Sequence, residues 1–115
     1  MTKQYALHAT ALRPYAPNRG GCLATDAITV DGRKVGFCYR STPLNDLDSG
    51  WRFFAGDETD EYIADLSHSA VYDINTIANY DPEIIPFLDA PVGAAFERGE
   101  GWGPLAPVHD FELPV

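Results

Sequence analysis

The sequence predicts an α+β domain in which two short helices pack on one face of a mainly antiparallel sheet. Three observations predict this class. Two β-rich runs flank an Asp-Gly pair at residues 31–32, an aromatic run follows at residues 51–55, and residues 74–90 carry two short helical patterns. Strands followed by helices are typical of α+β domains, whereas regular alternation of the two would indicate a parallel sheet.

The first predicted element is a β-hairpin in the stretch CLATDAITVDGRKVGFCYR. The Asp-Gly pair at residues 31–32 is typical of a type I′ turn, since both central residues of that turn need positive φ. With these two residues as the loop, Ile28 lies opposite Val35, and Phe37 and Tyr39 follow on the same face. We therefore expect an antiparallel pair of strands with this face buried.

The same register fixes the expected positions of the two cysteines. Cys38 would face Thr25 and Cys22 would face Ser41, so the cysteines would lie on opposite faces of the hairpin. A disulfide is therefore not implied, and two reduced thiols fit better.

A third strand is predicted over residues 51–55, with Trp51 and Phe53 on one face. Gly56 should end that strand, because glycine favours a change of chain direction. A short β-like segment follows at residues 70–72.

Two helix starts follow. Asp73 is a suitable N-cap for residues 74–80, INTIANY, and Asp81 with Pro82 repeats the pattern of a cap followed by proline. Pro86 removes a backbone amide, so the second helix should be short or kinked.

The domain organisation follows from these elements. Residues 92–98, VGAAFER, read as a last core strand. We expect residues 1–19 to be an N-terminal extension, residues 20–98 to form a single α+β domain, and residues 99–115 to form an irregular tail.

The charge excludes several classes of function. The chain has 115 residues and a net charge of −9, from 17 acidic against 8 basic side chains. Nucleic acids and anionic membranes repel such a protein, while a basic protein partner would be attracted, although solubility alone also explains the charge. The sequence has neither a signal peptide pattern nor an apolar run of about 20 residues, so a cytoplasmic protein is expected.

The acidic segment, residues 57–65, is either a metal site, a surface for a basic partner or a solvated loop. Its carboxylates could bind calcium or magnesium, but the calcium loop of an EF-hand needs glycine at its sixth position, where this segment has Tyr62. A solvated loop is favoured over a metal site. We expect neither a metal nor a cofactor.

An enzyme is disfavoured as well. His8, His68 and His109 lie in weakly structured surroundings without a nucleophile motif, and no phosphate-binding loop is present. No catalytic residue is therefore predicted.

A cluster of polar side chains lies in and after the first helix, where alanine or leucine would form a better helix. They are Asn75, Thr76, Asn79, Tyr80 and Asp81. The cluster either binds backbone groups and fixes the junction between the helices, or faces a ligand or partner. The structural alternative is favoured.

Two motifs, GWRFFAGDE at residues 50–58 and NTIANYDP at residues 75–82, resemble those of a family of small bacterial domains. The family was first catalogued as a domain of unknown function and is grouped with the immunity proteins of polymorphic toxin systems. The resemblance covers residues 20–98. It implies an α+β fold without an established catalytic activity, and no catalytic residue carries over to this chain.

The sequence and the resemblance together favour a non-enzymatic immunity-type protein that binds and neutralises a toxin, with a basic toxin as the candidate partner. The predicted contact surface comprises Asp57, Glu58, Asp60 and Glu61, with Trp51 or Tyr62 as an aromatic anchor. A small-molecule or divalent-metal-binding domain and a general protein–protein adaptor are the alternatives. The oligomeric state is not predicted.

Overall fold

The computed structural model describes residues 3–99 and 102–113. Six strands form one mixed sheet in the order β4-β1-β3-β2-β5-β6. Strands β1 and β3 are parallel, and the other neighbouring strands are antiparallel. The strands are β1 (Gly21–Thr25), β2 (Phe37–Arg40), β3 (Asp48–Phe54), β4 (Ser69–Asp73), β5 (Ala95–Arg98) and β6 (Leu105–Pro107).

The helical segments are short. The α-helices are α1 (Asp26–Thr29), α2 (Asp60–Ala64) and α3 (Ile74–Tyr80), and the 3₁₀ helices are Ala9–Ala11, Leu66–His68 and Pro82–Phe87. The predicted α+β class is confirmed, and most strand pairs are antiparallel as expected. The packing of two helices on a single face of the sheet stays a prediction.

The predicted hairpin is wrong. Residues 26–29 form α1, and β3 lies between β1 and β2 in the sheet. The amide of Gly32 donates to the carbonyl of Ile28 at 2.9 Å, and Gly32 has a φ of +76°. A glycine with positive φ ends a helix as readily as it forms a type I′ turn, so the Asp-Gly pair misled the sequence prediction.

The expected cysteine register is wrong for the same reason. Cys22 pairs with Tyr72 of β4, and Cys38 lies between Phe53 and Phe96 of the neighbouring strands. Both cysteines belong to the core instead of lying on opposite faces of a hairpin. Both thiols are free and buried, and burial raises the pKa of Cys38 to about 12, so this thiol stays protonated at neutral pH.

Elements specified by local rules are confirmed. The predicted strand at residues 51–55 is the second half of β3, and the β-like segment becomes β4. Asp73 caps α3 by accepting a hydrogen bond from the amide of Asn75 at 2.8 Å. The helix after Pro82 is a 3₁₀ helix, in agreement with the effect expected of Pro86.

The C-terminal third departs from the expectation. The strand predicted at residues 92–98 begins only at Ala95, and β6 pairs with it from within the tail expected to be irregular. The boundaries at residues 19 and 98 stay predictions. Residues 1–2, 100–101 and 114–115 of the two predicted end segments lie outside the described residues.

The core joins strands to helical segments. From the sheet it takes Cys22, Ala24, Cys38, Trp51, Phe53 and Phe96, and from helical segments Ile28, Ile74, Ile77, Ala78, Tyr80 and Ile84. The rings of Trp51 and Phe53 stack with centroids 5.9 Å apart, and the indole N–H of Trp51 donates to the carbonyl of Leu88 at 3.2 Å. Because its indole N–H is hydrogen-bonded, Trp51 is buried without an unsatisfied donor.

Asp81 and Arg98 form a buried ion pair beside this core. Their side chains are 0% and 3% exposed, and the Arg98 guanidinium donates to the Asp81 carboxylate at 2.7 Å. The same carboxylate accepts from the amides of Val35 at 3.0 Å and Glu83 at 3.1 Å. A buried charge is tolerated when it is paired and its remaining oxygens are hydrogen-bonded, and Asp81 meets both conditions.

A second ion pair, between Asp48 and Arg52, lies within β3. The two side chains are 11% and 8% exposed, and they share two hydrogen bonds of 2.9 and 3.0 Å. The Asp48 carboxylate also accepts from the amides of Leu44 at 2.8 Å and Gly50 at 3.0 Å. The hydrogen bonds from Arg52 hold the pKa of Asp48 well below its usual value.

We expect the Asp81→Asn variant to lower the free energy of unfolding by about 3–5 kcal/mol, because it leaves the buried guanidinium of Arg98 with only the exposed carboxylate of Glu83 as an ionic partner. Asparagine keeps one acceptor for the amide of Glu83 but replaces Oδ2, which accepts from Val35 and Arg98, by a donor, so the loss includes both the charge and these hydrogen bonds. Urea denaturation measures the loss. As a control, Asp89→Asn removes the exposed pair with Arg19 and should change stability little. Equal effects of the two variants would contradict this account of Asp81.

We expect the stabilisation by Asp48 to depend on pH. Its pKa is lower in the folded chain, so its contribution is present above the unfolded pKa of about 3.9 and is lost as the pH falls toward the folded value. The stability difference between wild type and Asp48→Asn should therefore be constant above about pH 5 and shrink below about pH 4. Urea titrations across this range test it, and a pH-independent difference would be inconsistent with the ionised pair.

Candidate functional site

The acidic segment begins with a tight turn that Glu58 closes. Its carboxylate accepts hydrogen bonds from the amides of Ala55 and Gly56, both at 2.8 Å, and from the hydroxyl of Thr25 at 2.5 Å. Glu58 is half-buried. Its carboxylate therefore joins the end of β3 to the end of β1, a structural role that the sequence pattern did not indicate.

Asp57 forms an exposed ion pair across the same turn. The guanidinium of Arg33 donates to its carboxylate at 2.6 Å, and this hydrogen bond lowers the pKa of Asp57. An exposed pair contributes little to stability. Its main effect here is to neutralise one charge of the acidic segment.

The segment also displays Asp65, which caps the 3₁₀ helix Leu66–His68, and the pair Asp60 and Glu61. Both are exposed in the first turn of α2, where the helix dipole favours negative charge. Thr59 caps this helix by accepting from the amide of Tyr62 at 3.1 Å. The ring of Tyr62 stacks on His68 with centroids 4.0 Å apart, which leaves this tyrosine half-buried at the edge of the segment.

Trp51 cannot be the aromatic anchor considered from the sequence. Its side chain is 1% exposed and lies in the core against Phe53 and Phe96. The sequence placed it correctly on the same face as Phe53, but that face is the covered one.

The polar side chains of α3 hold the N-terminal segment. Asn75 donates to the carbonyl of Arg13 and accepts from the amide of Ala16, each at 2.8 Å. Asn79 binds both the amide and the carbonyl of Arg13, again at 2.8 Å. These hydrogen bonds support the structural alternative, because they occupy the amide groups that a ligand would need.

The remaining members of the polar cluster are buried or half-buried within the protein. The hydroxyl of Tyr80 donates to the carbonyl of Thr29 at 2.7 Å and accepts from the amide of Leu7 at 3.0 Å. Asp81 is the buried partner of Arg98, and Thr76 is half-buried on α3.

An open groove of about 720 Å³ lies beside the acidic segment. We call it the aromatic groove, and its rings are those of Phe37, Tyr39, Phe54, Trp102 and Phe111. Tyr39 stacks on Phe54 with centroids 5.9 Å apart and contacts Phe111 at 5.1 Å. Ile63 of α2 also lines the groove, so the groove and the acidic segment form one continuous surface.

The sequence interpretation missed this groove because of the wrong hairpin. It placed Phe37 and Tyr39 on the buried face of that hairpin, whereas the structure pairs Phe37 with Phe54 on the sheet face away from Trp51. Alternation within β2 and β3 was the available signal, since Phe37, Tyr39 and Phe54 lie on one face once Phe37 is paired with Phe54.

Gly36 shapes the end of the groove next to Trp102. A side chain there would place its Cβ 1.9 Å from the carbonyl oxygen of Ala55 and 3.0 Å from the indole ring of Trp102. The guanidinium of Arg98 lies 5.3 Å from the centre of the same ring, within the range of a cation–π contact. The closely approaching backbone at Gly36 thus positions Trp102 on one side, and the ion-paired Arg98 positions it on the other.

Two further observations concern metals and membranes. Among residues 3–99 and 102–113, no group of three or more histidine, cysteine, aspartate or glutamate side chains is arranged to hold a metal ion. Within that same part of the chain, every helix is too short or too polar to cross a membrane.

Comparison with known protein families gives a match. The family model described as "Immunity protein Imm33 domain" matches residues 22–108. No curated protein and no solved structure matches the chain. The match confirms the resemblance to immunity proteins and extends it beyond residue 98, through β6. Because the matched region is most of the chain, the protein belongs to the Imm33 family of immunity protein domains.

Proposed function

We propose that this protein is a non-enzymatic immunity protein that binds a basic toxin in the cytoplasm and neutralises it by direct contact. The observation that carries the proposal is the exposed pair of carboxylates on Asp60 and Glu61, in a chain of net charge −9 that belongs to an immunity family. Complementary charge accelerates the association of two proteins and fixes their relative orientation.

Fewer carboxylates of the acidic segment are available to a partner than the sequence suggests. Arg33 offsets Asp57, and the carboxylate of Glu58 is engaged by two backbone amides and a hydroxyl. Asp60 and Glu61 are therefore the carboxylates best placed to meet a cationic partner. Tyr62 lies next to them as an aromatic contact, and its stack on His68 limits the entropy lost when a partner binds.

The aromatic groove favours a second candidate function, the binding of a small molecule. Its volume of about 720 Å³ lies within the range typical of ligand pockets. A thermal-shift screen with metabolites and divalent ions separates the two candidates. A saturable rise in melting temperature with one small ligand would favour the second candidate.

We expect the double variant Asp60→Lys/Glu61→Lys to bind the toxin at least about tenfold more weakly than wild type at low salt, through a slower association rate. The partner to test is a candidate toxin from a gene next to this one. Co-expression measures protection, and surface plasmon resonance measures the rates. The matched control, Asp46→Lys/Asp89→Lys, reverses two exposed charges elsewhere and changes the net charge equally.

The expected result is loss of protection in the double variant and retention in the control. If both variants protect and bind like wild type, the assignment of this surface is wrong. If the wild-type chain neither binds nor protects against the neighbouring toxin, direct neutralisation itself is wrong.

A further inference from the structure

We propose that the aromatic groove receives an apolar or aromatic side chain carried on a cationic segment of the toxin. This inference rests on the proposed function and names the surface and the chemistry of the contact. It adds a hydrophobic anchor site to the electrostatic contact at Asp60 and Glu61.

The groove exposes a large aromatic area. Phe37, Tyr39 and Phe54 lie on the sheet face away from the core and are only half-buried, and the side chain of Trp102 is 49% exposed. Soluble monomers rarely display a contiguous aromatic patch, and such patches mark binding surfaces. Tryptophan and tyrosine are also the residues most often found at the energetic centre of protein interfaces.

The groove also carries a negative charge balance. Three carboxylates line it, those of Asp57, Glu58 and Glu97, against the guanidinium groups of Arg33 and Arg98. Both cations are already paired, Arg33 with Asp57 at 2.6 Å and Arg98 with the buried carboxylate of Asp81 at 2.7 Å. The balance is negative, so a segment that enters the groove gains most if it carries lysine or arginine.

The rings that line the groove already pack on one another. Phe111 lies against Phe37 and Tyr39, with centroids 5.7 and 5.1 Å apart, although its neighbours Asp110 and Glu112 are acidic. The acidic neighbours of Phe111 and the acidic rim of the groove repel each other. The contacts between the rings must therefore be what holds Phe111 in place. A ring or aliphatic side chain on a basic segment would gain both kinds of interaction.

A second copy of this chain is a poorer occupant. Two molecules of net charge −9 repel each other, and the groove adds a negative rim to that repulsion. The same charge complementarity that disfavours self-association favours a basic partner.

The test uses isothermal titration calorimetry with the toxin encoded beside this gene, in a catalytically inactive form. Trp102→Ala and Glu97→Lys each change one side of the groove, and Glu97 is exposed, so its variant has little reason to misfold. The controls are Tyr15→Ala, a 52% exposed aromatic beside α3, and Asp46→Lys, which matches the charge change of Glu97→Lys. Circular dichroism checks that every variant is folded.

We expect the dissociation constant to rise at least about tenfold for Trp102→Ala and several-fold for Glu97→Lys, with both controls close to wild type. If the toxin binds wild type and all four variants equally, the groove is not the contact site and the proposed function stands. If the toxin does not bind the wild-type chain, the proposed function fails and this inference fails with it.

Discussion

Asp81 is fully buried, and its carboxylate joins three parts of the chain that are distant in sequence. It accepts hydrogen bonds from the amide of Val35 before β2, from the amide of Glu83 in the 3₁₀ helix, and from the guanidinium of Arg98 at the end of β5. Arg98 in turn donates to the carbonyls of Val35 and Gly103. A buried carboxylate is stable only with such a complete set of partners, so the surrounding backbone positions are tightly constrained.

This constraint extends to the proposed contact surface. Arg98, held by Asp81, lies under the ring of Trp102, and the loop that carries Val35 leads directly into Gly36 and β2. One side of the sheet is therefore packed into a core, while the other side presents a groove whose edges are set by the same buried ion pair. The exposed carboxylates of α2 adjoin that groove through Ile63, so charge and aromatic area form one surface.

Some of the fold could be predicted from neighbouring residues, whereas the pairing of strands that are distant in the sequence could not. The caps at Asp73 and Asp81 and the alternation of Trp51 and Phe53 follow from neighbouring residues, and the structure confirms them. The parallel pairing of β1 with β3 depends on contacts distant along the chain. The Asp-Gly pair is compatible with two local structures, and only the position of β3 between β1 and β2 decides between them.

The candidate site was predictable to a similar degree. The exposure of Asp60 and Glu61 follows from a charge run, whereas the internal bonds of Glu58 depend on the approach of Thr25 from another strand. The groove combines three strands and the C-terminal segment, so no single stretch of sequence contains it.

We propose that this member of the Imm33 family binds a basic toxin directly through an acidic surface. Titration of the wild-type chain with the purified, catalytically inactive toxin encoded beside its gene, at low and at high salt, tests it most directly. The account predicts a stoichiometric complex whose affinity falls as salt screens the charges. An absence of binding, or an affinity that does not change with salt, would contradict it.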